Sequence, residues 1–414
     1  MRYGTRHIRP ALNYLRQHGG VAFTRLLIRK LFHGVVASAI GQVLPKTDLL
    51  AVYHFLNATP SSNGKSLKEC DSKTINWFVP MYGRGSGGHL NIFRFVFLLE
   101  KLGYKSHIIL IDVAGHCTPY REQAKKEIRD WFFPIAAEIY VGLARLPPAH
   151  VSFATSWQTV YPLRKFNETR HKCYFVQDFE PWFYSRGSDY ALAEETYKFG
   201  FVGITAGGWL ANKLEAEYGM TTYSVGFSYD AELYRPRPRR APNIRRIFFY
   251  ARPPTTRRGF ELGLLALHKV TAKLPDVAVC FAGWDISGYS IPFNHLDAGM
   301  LTLKDLPDLY SQCDVALILS FSNLSLLPLE IMACGVPIIC NKGANNEWLL
   351  NHNNARLVDP TPEDIANAIC DLLENSDKRE VLIKEGLATA AINYKWEKEA
   401  GKLAAILESL PPSL

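Results

Sequence analysis

Residues 315–340 read VALILSFSNLSLLPLEIMACGVPIIC, and the order of residue types in this stretch decides the fold. An aliphatic run opens it at Val315, and a second aliphatic run closes it after Gly335. Between the two runs lie a polar loop and a short helical segment that starts at Leu327. Two apolar strands joined by a helix are typical of a parallel sheet whose faces are covered by helices. The stretch therefore predicts a βαβ unit and an α/β fold.

The same alternation of β-rich and helical runs extends through two long zones of the chain. In the first zone we predict strands at Ile75–Val79, His107–Ile111, Val151–Thr155, Cys173–Gln177, Val202–Thr205 and Thr222–Val225. In the second zone the predicted strands are Ile247–Ala251, Val277–Ala282, Val315–Leu319 and Val336–Cys340. The predicted helices include Gly88–Leu102, Asp189–Phe199, Gly208–Tyr218, Phe260–Ala272, Leu327–Cys334 and Pro362–Glu374. Each zone is long enough to form one parallel-sheet domain.

A proline-rich segment, YRPRPRRAP at residues 234–242, separates the two zones. Its three prolines exclude a helix and favour an extended connector. We therefore predict a first α/β domain over residues 71–236 and a second over residues 243–390. We also predict a C-terminal helix over residues 391–414 and a basic, helical N-terminal extension over residues 1–70.

The net charge of +8 arises at the N-terminus of the chain. Eight Lys and Arg residues and no carboxylate precede Asp48, and the remaining residues carry 39 charges of each sign. A nucleic-acid-binding protein requires a basic face on its folded body. We therefore expect no nucleic-acid partner.

Other features of the sequence concern the cellular location. The longest charge-free apolar stretches reach 15 residues, fewer than the roughly 20 that a membrane-spanning helix needs. The N-terminus lacks the ordered regions of a signal peptide. The eight cysteines are scattered without a C-x-x-C pair, so we expect buried thiols of a cytoplasmic protein rather than disulfides or zinc ligands.

A glycine-rich turn, PMYGRGSGGH at residues 80–89, follows the first predicted strand. Glycines at such a turn allow backbone amides to approach an anion at the helix N-terminus. The spacing differs from the G-x-G-x-x-G dinucleotide motif. The turn is therefore either an ordinary tight turn or an anion site that includes Gly87 and Gly88.

A second loop, FYARPPTTRRGF at residues 249–260, carries Arg252, Arg257 and Arg258. It lies between a predicted strand and a predicted helix, where open α/β sheets bind ligands. Guanidinium groups in this place suit a diphosphate, which accepts paired N–H donors. The alternative is a solvated basic loop without a ligand.

Glu330 is the single carboxylate of an otherwise apolar helix. A carboxylate in apolar surroundings needs a partner or a ligand. Two ribose hydroxyls would supply one, while free amides at the start of the helix near Leu327 would suit a phosphate. Alternatively, Glu330 only complements the helix dipole.

These motifs together resemble the retaining glycosyltransferases of family 4, which have the two-domain GT-B architecture. The segment LEIMACGVP at residues 329–337 is similar to their nucleotide-sugar signature, and NARLVDPTPED at 354–364 is similar to the segment that follows it. The loop at Arg252 takes the place of their G-R-L-x-x-x-K-G segment, with Arg257 at the lysine's spacing. YFVQDFEPWFY at residues 174–184 and YALAEETY at residues 190–197 resemble the bacterial rhamnosyltransferases that assemble surface glycans.

The resemblance implies two Rossmann-like domains whose parallel sheets face a cleft, with a C-terminal helix at Trp396 that crosses back to the first domain. It implies a metal-independent enzyme without a cofactor that transfers L-rhamnose from dTDP-rhamnose, with retention, to a hydroxyl of a cell-surface glycan. Arg252 and Arg257 would neutralise the departing diphosphate. The implied contacts to the nucleotide-sugar come from Gly87, Gly88, Arg258, Leu301, Ser322, Leu327 and Glu330.

The acceptor would enter against the first domain, where Trp157 and Trp182 suit stacking on sugar rings. We favour front-side attack within an ion pair, in which the leaving phosphate takes the acceptor proton. Asp178 is a further catalytic candidate, as a base or a nucleophile. The alternative is that its carboxylate only anchors the loop by hydrogen bonds.

Two positions depart from the family pattern. Ser322 stands where family members have a first glutamate that contacts the transferred sugar. Gln177 stands where they have a histidine that contacts the 6-hydroxyl of the sugar. A 6-deoxy sugar such as rhamnose lacks that hydroxyl, so the second departure fits a deoxyhexose donor.

Other functions remain as alternatives: transfer from a GDP-sugar or UDP-sugar, a GT-B sugar-nucleotide epimerase, or an inactive glycan-binding subunit. The basic, amphipathic residues 1–45 would rest on anionic lipid at the inner face of the cell membrane, where lipid-carried glycan acceptors reside. The alternative for this segment is a pair of helices packed on the body of the protein.

Overall fold

The computed structural model describes residues 48–113, 119–392 and 395–410. The chain divides into a smaller unit that ends at Val52 and a larger unit from Tyr53 to Leu414. Of the smaller unit, the described part contains a short helix, α1 (Leu49–Val52). Most of the predicted basic extension, residues 1–47, lies outside the described residues.

Residues 53–70 belong to the larger unit, whereas the sequence assigned them to the N-terminal extension. Phe55 is buried, and its ring centroid lies 5.3 Å from that of Trp157. Ser62 forms an isolated parallel bridge with Leu146. These contacts tie the segment to the first α/β domain, which explains the difference from the predicted boundary.

The first domain contains a seven-stranded parallel sheet with the strand order β3-β2-β1-β4-β5-β6-β7. Its strands are β1 (Thr74–Pro80), β2 (Lys105–Ile111), β3 (Glu138–Val141), β4 (Ala149–Ala154), β5 (Thr169–Val176), β6 (Val202–Ala206) and β7 (Thr222–Val225). Its helices are α2 (Gly87–Lys101), α3 (Arg121–Trp131), α4 (Trp157–Lys165), α5 (Ser188–Glu195) and α6 (Gly208–Tyr218). The strand order reverses direction between β1 and β4, and open α/β sheets bind ligands at the carboxyl ends of strands beside such a reversal.

The second domain contains a six-stranded parallel sheet with the order β10-β9-β8-β11-β12-β13. Its strands are β8 (Arg246–Tyr250), β9 (Ala278–Ala282), β10 (His295–Asp297), β11 (Val315–Ile318), β12 (Ile338–Asn341) and β13 (Arg356–Val358). The helices that follow β8 are α7 (Phe260–Lys273), α8 (Leu306–Ser311), α9 (Leu327–Ala333), α10 (Ala344–Glu347), α11 (Pro362–Glu374), α12 (Ser376–Ala391) and α13 (Trp396–Glu408). Here the order reverses between β8 and β11. The prediction of an α/β fold with two parallel sheets is confirmed.

The central strands are apolar on both faces because helices cover both faces of each sheet. In β1 the side chains of Ile75, Trp77, Phe78 and Val79 are all fully buried. Trp77 stacks on Phe153 of β4 with a centroid distance of 4.4 Å. Because these strands pair in parallel, the carboxyl ends of β1, β4 and β5 lie at one edge of the sheet.

Helix α13 packs against the first domain. Trp396 is 6% exposed and its ring lies 6.0 Å from Phe95 of α2, centroid to centroid. The Tyr104 hydroxyl donates a hydrogen bond to the carbonyl of Ala404.

Across the ranges that the structure describes, we find no helix with the length and apolar character that crossing a membrane requires.

Candidate active site

Three arginines lie on the loop between β8 and α7, at the carboxyl edge of the second sheet. Burial lowers the pKa of Arg257, and the nearby positive charges of Arg258 and Arg252 lower it further. The Nε atoms of Arg252 and Arg257 are buried, and neither has a hydrogen-bond partner among the described residues. Clustered cations of this kind provide a binding site for an anion of high charge density.

Arg257 is held by two residues of the first domain. Its guanidinium carbon lies 3.8 Å from the centroid of the Phe183 ring. Its Nε lies 3.7 Å from Oδ2 of Asp178, so the two groups form an ion pair across the domains. A guanidinium fixed by a ring and a carboxylate keeps its orientation before any ligand binds.

Arg258 points in another direction, to the polar loop after β11. Its Nη1 donates a hydrogen bond of 2.5 Å to the Ser320 hydroxyl and a longer one to the carbonyl of Asn323. The backbone N–H of Phe321 donates to the carbonyl of Arg257 over 2.9 Å. These bonds join the loop after β8 to the loop after β11.

Asp178 follows β5 and is 8% exposed. Its Oδ1 accepts hydrogen bonds from the backbone N–H groups of Phe179 (2.8 Å) and Asn323 (2.7 Å). Its Oδ2 accepts a hydrogen bond from the Ser322 hydroxyl over 2.8 Å. Both oxygens are therefore occupied, and the carboxylate connects the two domains.

Ser322 is completely buried, and its hydroxyl donates to Asp178. A direct contact between Ser322 and a donor, which the sequence predicted, is therefore not available in this structure. The adjacent Asn323 extends the same network, because its Nδ2 donates to the carbonyls of Gln177 and Ala206. The Asn323 side chain also accepts a hydrogen bond from Nε1 of Trp348.

The glycine-rich turn leads from β1 into α2. Gly85 has a positive φ of 77°, which favours glycine at this point of the turn. A Cβ on Gly87 would meet no atom within 4 Å, so space is open beside the first residue of α2. At Gly88, in contrast, the backbone carbonyl already accepts a hydrogen bond from Nε2 of Gln177. Burial lowers the pKa of His89 to about 4, so this imidazole is neutral at physiological pH.

Glu330 lies on α9 and faces groups that the sequence did not single out. Burial raises the pKa of its carboxyl to about 7, although the nearby Tyr234 hydroxyl and the Arg94 charge lower it. Arg94 comes from α2 of the first domain, where its guanidinium carbon lies 4.4 Å from the centroid of the Trp396 ring. The carboxylate is therefore close to a cation of the opposite domain.

The two other predicted nucleotide-sugar contacts differ in exposure. Leu301 lies after β10 and is partly exposed. The loop that carries it is tied to the end of β9 by a hydrogen bond from the N–H of Gly283 to the carbonyl of Gly299. Leu327 is 7% exposed, and its N–H donates to the Ser325 hydroxyl over 3.4 Å. Its amide is therefore not a free phosphate donor.

The two predicted acceptor-binding tryptophans have different environments. Trp157 is 3% exposed, and its Nε1 donates to the Tyr184 hydroxyl. Its backbone N–H donates to the buried Glu180 carboxylate, which also accepts a bond from the Tyr174 hydroxyl. Trp157 thus offers no free ring face to an acceptor, which corrects the prediction. Trp182, in contrast, is 37% exposed.

A cavity of about 420 Å³ opens beside Trp182 and Arg257. It is lined by Trp182, Tyr184, Arg186, Tyr190, Thr256, Arg257 and Phe321. The first four residues belong to the first domain and the last three to the second. The sequence indicated Trp182 and Arg257 but not Arg186 or Phe321. Their only sequence signal is their position in loops that follow β5 and β11.

A metal site is not apparent in the parts of the chain that the structure describes. Those parts contain no group of three or more His, Cys, Asp or Glu side chains that could hold a metal ion. The positive charge of the site comes from the arginines on the loop after β8.

Two family models match the chain. Residues 245–370 match the C-terminal domain of WsaF, and residues 151–205 match its N-terminal domain. The first match contains the arginine loop after β8 and Glu330. The second contains Trp157, Asp178 and Trp182.

A curated relative covers most of the chain. The O-antigen biosynthesis protein RfbC of Myxococcus xanthus is 34% identical over 351 residues, which are 80% of this chain. The match covers 26% of that relative, so this chain spans about a quarter of its length.

Solved structures resemble both domains together. Anabaena Alr3699/HepE in complex with UDP and glucose superposes with a TM-score of 0.65 at 17% identity, over 81% of this chain and 100% of that one. Sucrose-phosphate synthase from Thermosynechococcus elongatus gives a TM-score of 0.61 at 14% identity, over 81% of this chain and 98% of the other. With its two parallel sheets and its structural similarity to these two proteins, this chain has the two-domain GT-B fold.

Proposed function

We propose that the chain is a retaining glycosyltransferase that moves L-rhamnose from dTDP-rhamnose to a hydroxyl of a bacterial surface glycan. The observation that carries the proposal is the arginine cluster at the end of β8, where the buried Nε atoms of Arg252 and Arg257 have no hydrogen-bond partner among the described residues. The name of the Myxococcus xanthus relative supports a role in surface-glycan assembly. The UDP and glucose bound by the Anabaena protein support a nucleotide-sugar as the donor.

The arginines match the charge of the leaving group. Breaking the bond between the anomeric carbon and the diphosphate oxygen leaves negative charge on the diphosphate. Arg252 and Arg257 would neutralise this charge as it develops, which lowers the barrier more than uniform binding of the donor would. Burial, together with the charges of Arg258 and Arg252, lowers the pKa of Arg257, and a bound anion would stabilise its charged form against both effects.

Retention requires the acceptor oxygen to bond to the anomeric carbon on the face that the diphosphate leaves. In the front-side path that we favour, the acceptor hydroxyl gives its proton to the departing diphosphate oxygen. The products are the glycoside and dTDP. Asp178 is a positioning residue in this account, because its oxygens already accept bonds from Phe179, Ser322 and Asn323.

Two contacts support a 6-deoxy sugar and a ribose partner. The Gln177 amide is already bonded to Gly88 and accepts a bond from Asn91, so it is engaged within the protein. A sugar without a 6-hydroxyl requires no partner at this position. Glu330 would hold the ribose hydroxyls. Its pKa is raised to about 7, which favours a protonated carboxyl that can both donate a hydrogen bond to a neutral hydroxyl and accept one from it.

A thermal-shift comparison of dTDP-rhamnose, GDP-mannose and UDP-glucose with their free diphosphates tests the donor. We expect dTDP-rhamnose to raise the melting temperature most. If no nucleotide shifts the melting temperature of the folded chain, the proposal is wrong. Turnover of the nucleotide-sugar without an acceptor would indicate an epimerase, and donor binding without transfer would indicate a glycan-binding subunit.

We further propose that residues 1–45 hold the enzyme at an anionic membrane surface, close to glycan acceptors on lipid carriers. The support is the eight basic residues before Asp48 and the leucines interspersed among them. Deletion of residues 1–45 should abolish flotation with vesicles that contain anionic lipid. Unchanged flotation of the truncated chain would reject this role.

A further inference from the structure

The cavity beside Trp182 combines exposed aromatic rings with positive charge. Trp182 is 37% exposed and Phe321 is 40% exposed, although both are large apolar side chains that proteins usually cover. They come from opposite domains and line the same cavity of about 420 Å³. Open aromatic rings in a cavity of this size are suited to the apolar faces of one or two sugar rings.

Both rings also lie close to residues that do not line the cavity. The ring centroid of Trp182 lies 5.0 Å from that of Phe179 and 5.7 Å from that of Trp209. A Cβ on Gly259 would lie 3.0 Å from the Phe321 ring, so glycine at this position gives Phe321 its space. The Trp182 ring is therefore packed in place before a ligand arrives, which lowers the entropic cost of binding.

The charges that line the cavity have one sign. Arg186 and Arg257 belong to the lining, and none of the lining residues is acidic. Arg257 is balanced in part by Asp178 at 3.7 Å. Arg186 is exposed, and its guanidinium carbon lies 5.5 Å from the centroid of the Tyr190 ring. It forms no hydrogen bond or ion pair with any other residue in the described ranges, so its donors are free for a ligand.

We infer that this cavity binds an acidic acceptor glycan, whose anionic group pairs with Arg186 while a neighbouring sugar ring stacks on Trp182 and Phe321. The anionic group is a sugar carboxylate or a sugar phosphate, since a guanidinium binds both with paired N–H donors. This inference rests on the proposed glycosyl transfer, for which it names the class of acceptor. The cavity is adjacent to the diphosphate site because Arg257 lines both.

Binding of three matched sugars to the full-length chain without donor tests the inference. The probes are cellobiose, cellobiouronic acid, which carries a carboxylate, and cellobiose 6′-phosphate, with binding followed by saturation-transfer NMR. We expect at least one acidic sugar to bind about five- to tenfold more tightly than cellobiose, as expected for one charge-assisted pair. The acidic sugar that binds more tightly distinguishes the carboxylate from the phosphate.

Three variants test which residues cause the preference for an acidic sugar. Arg186→Gln should bring the affinities for the acidic and neutral sugars within about twofold of each other, because it removes one ion pair. Trp182→Ala should weaken the binding of all three sugars. Arg356→Gln, at an exposed position of β13 on the far edge of the second sheet, should leave the preference unchanged.

Equal binding of cellobiose and both acidic sugars overturns the inference, and so does an acidic preference that survives in Arg186→Gln. Absence of binding by all three sugars overturns it as well. If dTDP displaces the acidic sugar competitively, the cavity belongs to the donor and the inference is wrong. None of these results depends on donor turnover, so failure here is distinguishable from failure of the proposed transfer.

Discussion

At the scale of single residues, the site is built around Arg257. Phe183 stacks under its guanidinium and Asp178 lies beside its Nε. Both neighbours come from the loop after β5, so a residue of the second domain is oriented by the first. Substitutions of Arg257 and Asp178 can therefore separate the effect of the Arg257 charge from the effects of its orientation and of the anchoring by Asp178.

Replacing Arg257 with lysine keeps the charge but removes the planar fork that stacks on Phe183. We expect kcat to fall about 10²-fold, in line with the loss of one group that stabilises developing charge. The melting temperature should change little, because the ammonium still lies near Asp178. Steady-state kinetics with dTDP-rhamnose checks this, with Arg356→Lys as a matched control. An unchanged kcat would remove Arg257 from the reaction.

Asp178→Asn separates an anchoring residue from a nucleophile. The asparagine side chain has the same shape, but one of its two polar groups is an N–H donor. In the wild type, both carboxylate oxygens accept hydrogen bonds, so the amide nitrogen would face at least one donor instead of accepting from it. We expect the free energy of unfolding to fall by about 1–3 kcal/mol and kcat to fall less than tenfold. Full stability combined with a loss of kcat of about 10³-fold or more would instead assign Asp178 to the chemistry.

Glu180 leads to a prediction about pH. Burial raises the pKa of its carboxyl from 4.5 to about 7 in the folded protein. Between these values the unfolded chain loses the proton and the folded chain keeps it, so stability falls as pH rises. Relative to Glu180→Gln, the wild type should lose up to about 3 kcal/mol of unfolding free energy between pH 4.5 and 7.5.

Denaturant unfolding of both proteins across this pH range measures the difference. The exposed Glu380→Gln serves as the control and should show no such slope relative to the wild type. A stability difference between wild type and Glu180→Gln that is independent of pH would show that folding does not raise the pKa of this carboxyl.

At the scale of elements, the central strands were predictable from sequence, whereas of the four edge strands only β7 was. The predicted strand Thr222–Val225 and helices Gly208–Tyr218 and Pro362–Glu374 match the structure at both ends. The strands that the sequence did not reveal are β3, β10 and β13, which have three or four residues each. All three residues of β10 are exposed, so no apolar pattern marks it. Helices α3 and α12 were also not predicted, and in each only a few side chains are buried.

Helix α7 packs closely on β8 at Gly263. A Cβ at this position would lie 2.2 Å from the ring of Phe249, which is fully buried. Gly263→Ala should therefore lower the free energy of unfolding by about 1–3 kcal/mol through overpacking. Gly401→Ala is the matched control, because its Cβ would meet no atom within 4 Å. This control should raise stability by about 0.5–1 kcal/mol, and equal effects of both changes would contradict the packing argument.

At the scale of the whole molecule, the candidate site is made where loops of the two sheets meet. The sequence indicated the arginine loop, the glycine-rich turn and Glu330 because each follows or precedes a recognisable strand. It did not indicate the contact between Asp178 and Ser322, which lie 144 residues apart in the chain. It also placed Trp157 on the acceptor side, since nothing in the sequence shows that Glu180 and Tyr184 bind its two N–H groups. Pairings between distant loops require the packed structure.

The most direct test of the account is the anomeric configuration of the product. The full-length chain is incubated with dTDP-rhamnose labelled with ¹³C at the anomeric carbon and with oligosaccharides from a bacterial surface glycan. We predict a new rhamnoside whose one-bond carbon–proton coupling shows the configuration of the donor, with one dTDP released for each bond formed. A product of inverted configuration, or no transfer from a donor that binds, would contradict it.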